Sequence, residues 1–218
     1  MAELQEIWES KLEPVYPYRK AGPTVEKING KLNAPAAPKI GVAKPKVIIP
    51  VFPGTNCEYD TAKAFARAGA DPEILVIRNL TPADVTASCE ALVKAIGESQ
   101  IVMLPGGFSG GDEPDGSAKF IASFFRSPAV TEAVRDLLQH RDGLMLGICN
   151  GFQALIKLGL VPYGDIRPIT AYDPTLTFNT IGRHQSMLVR TRIASTGSPW
   201  LSHCCLLYTS DAADEEDS

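Results

Sequence analysis

A chain of 218 residues with 44% hydrophobic residues is long enough for one α/β domain and an additional arm. Its formal net charge of -4 gives no basic footprint for nucleic acid, and no apolar run approaches the ~18 residues of a membrane span. Five cysteines without Cys-x-x-Cys spacing and three histidines without zinc-motif spacing argue against a disulfide framework and a metal site, and suit a reducing cytoplasm.

Residues 1–45 read as an arm. Leu4 to Leu12 has the spacing of a short amphipathic helix, with Ile7, Trp8 and Leu12 on one side. Prolines at 14, 17, 23, 35, 38 and 45 then keep the chain extended. From Lys46 onward strands and helices alternate. Val47 to Phe52 is an apolar strand, in which Pro50 objects to full pairing. Thr61 to Ala68 is a helix stopped by Gly69. Ile74 to Ile77 is the second strand. Thr81-Pro82 supplies an N-cap and a first-turn proline for a helix to about Ile96. Ile101 to Leu104 is the third strand, followed by helices near Ser117–Phe125 and Val130–Leu138. Leu144 to Leu146 is the fourth strand, and Phe152 to Leu158 the helix behind it. Short strands, apolar throughout and separated by helices, predict a parallel sheet covered on both faces. Ligands in such sheets bind beyond the carboxyl ends of the strands.

Three loops at that predicted edge carry chemistry. After the fourth strand comes Gly147-Ile148-Cys149-Asn150-Gly151, the pattern of a nucleophile elbow with cysteine in the serine position. The helix N-terminus behind Cys149 favours a thiolate and can hold an oxyanion. The alternative is a buried structural cysteine; the flanking glycines, strand and helix weigh against it. After the third strand comes Pro105-Gly106-Gly107-Phe108, continuing to Asp112. Its glycines can turn backbone amides into a cleft, and Gly107 N–H with Asn150 N–H is the natural oxyanion pair. A phosphate loop would need Gly-Lys-Ser/Thr, which is absent. After the first strand comes Pro53-Gly54-Thr55-Asn56-Cys57.

Pro-Gly-Gly-Phe at 105–108 together with Gly-Ile-Cys-Asn-Gly-Phe-Gln at 147–153 resembles the class I glutamine amidotransferases. Val51 to Glu58, Phe108 to Asp112 and Gly159-Leu160-Val161-Pro162 narrow the resemblance to glutaminase domains of the phosphoribosylformylglycinamidine synthase family, over roughly residues 46 to 202. The resemblance implies a flavodoxin-like three-layer α/β sandwich with a mostly parallel sheet. It implies that Cys149 attacks the side-chain amide of glutamine, with Gly107 and Asn150 holding the oxyanion. Ammonia would then pass to a synthetase domain of the parent enzyme, which converts formylglycinamide ribonucleotide to the amidine. No cofactor is implied for this domain; ATP and magnesium belong to the synthetase region. By position, Phe108 and Gln153 would line the glutamine pocket, and Asn179 and Arg183, in an Asn-x-x-x-Arg stretch, would bind substrate or order the cleft. A packing or surface role is equally open to each of these four. The implied partners are glutamine and the synthetase, with no nucleic acid and no membrane.

The family's triad is completed by a His-x-Glu pair downstream of the cysteine, and none follows Cys149. Neither His184 nor His203 is at the expected place for that base, and Asp112 and Asp115 suit capping or partner contact better. Cys205 to Asp214 resembles a sequencing-adapter reading frame, so the expected organisation is an arm at 1–45, a truncated amidotransferase domain at 46–203 and a non-native tail at 204–218. Such a fragment would turn over poorly. Two other classes compete: a different cysteine-elbow hydrolase or stress-response protein, and a flavodoxin-like binding module. The Pro-Gly-Gly-Phe loop disfavours the first, and an elbow cysteine has no use in the second.

Overall fold

The computed structural model describes residues 2–11, 41–108, 117–176, 179, 182, 191–193, 197–201 and 208–209. The chain divides into two compact units, residues 38–176 and residues 1–37 with 177–218. The second unit contains α1 (Ala2–Ser10), the expected N-terminal helix, on which Leu4, Ile7 and Trp8 are exposed.

In the first unit β1 (Lys46–Val51), β2 (Asp71–Val76), β3 (Ile101–Leu104) and β4 (Leu144–Gly147) form an all-parallel sheet in the order β2-β1-β3-β4. This order is that of the first four strands of a flavodoxin-like sheet, whose ligand crevice opens between the first and third strands. The connecting helices are α2 (Glu58–Arg67), α3 (Pro82–Glu98), α4 (Lys119–Phe125) and α5 (Pro128–Arg135), which runs into a π-helical turn at Asp136–His140. After β4 come α6 (Asn150–Leu158) and the single turn α7 (Leu160–Tyr163). Right-handed crossovers that step left, from β1 to β2, and then right, from β2 to β3 and β4, put α2 on one face and α3 to α5 on the other. The packing agrees. Ile48, Phe52, Val102 and Leu104 join one buried cluster with residues of α3, α4, α5 and α6, while α2 buries no residue fully. The Phe52 ring is 2% exposed and meets Phe120 and Phe124 edge-on at 5.6 and 5.5 Å. Such pairs add about 0.5–1.5 kcal/mol beyond their area.

The sequence expectations hold for every strand and helix of this unit, with shifted ends. The structure starts β2 at Asp71, three residues early, and includes Pro72. Backbone bonds from Asp71 N–H to Pro45 O and from Ile77 N–H to Val51 O turn the odd residues of β2 to β1. Pro72, of even number, therefore places its missing donor on the open edge. α2 starts at Glu58 rather than Thr61, with Glu58 and Asp60 in the first turn, where the helix dipole favours acids. α4 starts at Lys119 rather than Ser117 because Ala118 has φ 59, which no helix residue can adopt. α6 starts two residues before Phe152, directly behind Cys149.

Pro50 has a visible consequence. Gln100 N–H donates to Lys46 O, so the even residues of β1 face β3. The β1–β3 register covers only Val47↔Ile101 and Ile48↔Val102, and it ends before Pro50, which has no donor to offer. Beyond Ile48 the two strands no longer pair, and their loops take over the gap. In the second unit β5 (Thr191–Arg192) pairs antiparallel with β6 (Tyr208–Thr209).

Candidate active site

Cys149 is exposed and stands between β4 and α6 with φ 52 and ψ -112. A residue with a Cβ rarely adopts this conformation, and holding it costs about 1–3 kcal/mol. The surroundings impose it. Ile148 N–H donates to Leu104 O at 3.1 Å, which ties the start of the turn to β3. Gly151 N–H donates to Ile148 O at 2.9 Å, and Gln153 N–H to Cys149 O at 3.0 Å, which closes the first turn of α6. Close packing of α6 requires the glycines. A Cβ on Gly147 would lie 2.6 Å from the Gly151 carbonyl carbon, and one on Gly151 would collide with Leu104 O and lie 2.6 Å from Leu104 C. The elbow expected from Gly-x-Cys-x-Gly is present in the backbone.

The glycine loop after β3 lies beside it. A Cβ on Gly106 would sit 3.2 Å from Cys149 Cβ and 3.9 Å from its Sγ. Gly107 has φ 125, a region open essentially to glycine alone. It forms an isolated antiparallel bridge with Thr55 of the β1 loop. The two bonds of that bridge come from the neighbours: Asn56 N–H to Gly106 O at 2.9 Å and Phe108 N–H to Gly54 O at 2.8 Å. In a pair of this kind the facing residues turn their own N–H and C=O groups away from the partner. Gly107 N–H therefore points away from the β1 loop, to the side on which β4 and its elbow lie. Asn150, 3% exposed, is the first residue of α6, at the end of the helix where N–H groups lack intrahelical acceptors. An exposed thiol, a helix N-terminus and a glycine amide thus share one edge of the sheet. That set suits addition of a thiolate to a carbonyl group.

The remaining sequence candidates divide. Phe108 is 83% exposed beside Gly107, and Gln153 is half-buried on the first turn of α6. Ile148 and Phe152, on either side of Cys149 in the chain, are exposed as well. Asn179 belongs to the second unit, and Arg183, His184, His203, Asp112 and Asp115 lie outside the described residues. The β1 loop belongs at the site by its sequence position, but Thr55 carries no role there on sequence grounds. The available signal is local: Pro-Gly before Thr-Asn directly after a strand marks a tight turn. A cavity of about 610 Å³ between α5 and residues 166–169 holds none of the Cys149 arrangement. Its Arg135 is engaged by Glu132, Asp165 and the Ile166 carbonyl. Among the described residues, no cluster of metal-ligating side chains occurs and no helix is long and apolar enough to cross a membrane.

Sheet order and elbow define an α/β protein with a cysteine at the carboxyl edge of a parallel sheet. Residues 44–207 match the CobB/CobQ-like glutamine amidotransferase domain family, and the chain belongs to that family. Among curated relatives, the phosphoribosylformylglycinamidine synthase subunit PurQ of Dehalococcoides mccartyi is 35% identical over 144 residues, 66% of this chain and 51% of the relative. The subunit of that name from Symbiobacterium thermophilum is 35% identical over 157 residues, 71% of this chain and 53% of the relative. The Cereibacter sphaeroides subunit is 41% identical over 117 residues, 54% and 44% of the two chains. The chain spans about half the length of the curated relatives it matches. A solved structure of PurLQS from Thermotoga maritima is 27% identical, with a TM-score of 0.38 over 54% of this chain and 45% of that one.

Proposed function

We propose that this chain carries the glutamine-hydrolysing site of a phosphoribosylformylglycinamidine synthase. Cys149 Sγ attacks the side-chain amide carbon of glutamine, and the C–S bond forms as the C=O π pair moves to oxygen. Gly107 N–H and Asn150 N–H hold that oxyanion. Collapse re-forms the carbonyl and breaks the C–N bond, and the nitrogen leaves as ammonia once it has taken a proton. Water then attacks the glutamyl thioester, giving glutamate and the free thiol. Phe108 and Gln153 border the glutamine. Ammonia passes to an ATP- and magnesium-dependent synthetase partner, which makes formylglycinamidine ribonucleotide in the cytoplasm. The proton that the leaving nitrogen takes comes from an acid, the conjugate acid of the base that deprotonates the thiol.

The observation that carries the reading is the approach of the Gly106-Gly107 loop to a strained, exposed Cys149, in a chain of an amidotransferase family. A glutamine-derived chloroketone tests it, because alkylation needs the thiol and the glutamine pocket but no base. Modification of Cys149, blocked by glutamine, is the expected result. Modification confined to Cys57 or Cys89, or none in a folded sample, refutes it.

A further inference from the structure

We infer that Thr55 is a positioning residue for the oxyanion site, its hydroxyl fixing the β1 loop that holds Gly107 N–H toward Cys149. The inference rests on the glutaminase reading and adds to it the group that sets the hole's geometry.

By alternation Phe52, like Lys46 and Ile48, turns its N–H to the β3 side of β1. The β1–β3 ladder has ended at Ile48, so no β3 carbonyl receives it. Thr55 Oγ1 accepts that N–H at 3.0 Å instead, and Thr55 N–H returns a bond to Phe52 O at 2.9 Å. The hydroxyl thus supplies the acceptor that the parted strands lack. It also closes residues 52–55 into one doubly bonded turn.

One end of this turn is fixed and the other grips Gly107. Phe52 is packed among Phe120, Phe124 and Phe125 in the core. On the outer side Gly54 O, in the turn, and Asn56 N–H, just after it, make the two bonds of the Thr55–Gly107 bridge, so close that a Cβ on Gly107 would lie 2.9 Å from Thr55 Cα and 2.5 Å from Gly54 O. Glycine by itself has no preference for φ 125. The direction of Gly107 N–H is thus inherited from the turn, and the turn from the Thr55 hydroxyl.

Glutamate γ-semialdehyde is the probe, on the full chain, with its concentration counted as the open-chain aldehyde in equilibrium with the cyclic imine. Its aldehyde adds to Cys149 Sγ: the C–S bond forms, the π pair moves to oxygen, and the hemithioacetal oxygen occupies the oxyanion site. Iodoacetamide is the control, since displacement of iodide at carbon needs no oxyanion site. Removing one oxyanion donor outright costs roughly 10²–10³-fold, so a displaced donor in Thr55→Val should weaken aldehyde binding by at least about tenfold. The iodoacetamide rate at Cys149 should stay within about twofold, and Thr55→Ser should restore aldehyde affinity, because it keeps the acceptor for Phe52 N–H. If Thr55→Val does not fold, Thr55→Ala, which leaves room for water to accept from Phe52 N–H, carries the same comparison. Wild-type aldehyde affinity in either folded variant overturns the role of Thr55 alone. So does an equal loss of aldehyde binding and iodoacetamide reactivity, which marks a merely structural residue. No aldehyde binding by the wild-type chain overturns the glutaminase reading, and this inference with it.

Discussion

Gly151→Ala tests whether the contact between α6 and β3 holds the sulfur in place. The added methyl would overlap Leu104 O and lie 2.6 Å from Leu104 C and 2.8 Å from Leu104 Cβ. These are backbone and near-backbone atoms of a buried strand, so α6 must give way. Restoring carbon contacts to ordinary separation requires a retreat of roughly 0.8–1 Å. Overpacking of this kind costs about 1–3 kcal/mol of stability. The same retreat moves the turn that carries Cys149, because the 3.1 Å bond from Ile148 N–H to Leu104 O is pulled directly. A displacement near 1 Å in a reacting group costs on the order of 10²-fold in rate. A folded Gly151→Ala protein should therefore show a lowered urea midpoint and alkylation by the glutamine-derived chloroketone slowed about 10²-fold. Gly164→Ala is the control: its φ of 72 brings backbone strain, but its Cβ would meet nothing within 4 Å, so stability falls without slowing alkylation. A wild-type alkylation rate in Gly151→Ala would refute the reasoning, since the close approach would then not position the thiol.

Thr81→Ala should lower stability by about 1 kcal/mol in urea unfolding and leave Cys149 reactivity unchanged, because it removes a helix cap far along the chain from the elbow. Thr81 Oγ1 accepts from Asp84 N–H at 3.1 Å, and this half of the capping box is lost, while the backbone bond from residue 81 N–H to Asp84 Oδ2 at 3.1 Å is kept. Asp173 should contribute to acid sensitivity. Bonds from Tyr163 Oη, Thr170 N–H and the Arg167 guanidinium hold its carboxyl down from 3.8 to about 2. Its contribution to stability is present above the unfolded value near 3.8 and is lost as pH falls through about 2. Asp173→Asn should flatten that limb of a stability-against-pH curve; an unchanged limb would assign the acid sensitivity elsewhere.

Much of the first unit was legible because its signals are contiguous. Ile101 to Leu104 is an unbroken apolar run and became a fully buried strand. Thr81-Pro82 marked the start of α3, and the capping box lies there. Gly147 to Gly151 carried the elbow within five residues, since a sharp turn at a Cβ-bearing residue needs small neighbours on both sides. What was not legible depends on residues far apart in sequence. Helix starts moved with single dihedrals, such as φ 69 at Cys57 and φ 59 at Ala118, which composition does not encode. Pro50 objects to pairing in any strand, but only the strand order shows that the lost donor faces β3. The bridge between Thr55 and Gly107 joins loops about fifty residues apart, and neither loop alone announces the other.

These long-range features belong to one chain of cause. Pro50 cannot continue the β1–β3 ladder, so the sheet opens at the place where a parallel sheet of this order offers its crevice. Opening leaves Phe52 N–H facing a gap, and the Thr55 hydroxyl fills it. The turn so formed bridges to Gly107, whose neighbour Gly106 lies against Cys149. The strained Cys149 therefore has two close neighbours, α6 packed on Leu104 and the Gly106-Gly107 loop that the β1 loop bridges. Packing of α6 sets the backbone of Cys149 at φ 52 and ψ -112, and the β1 loop sets the amide beside it. A substitution at Gly151 and one at Thr55 should then couple at Cys149 although they share no contact. Their double variant should lose less aldehyde affinity than the product of the single losses, since the first relaxation already forfeits what the second restrains.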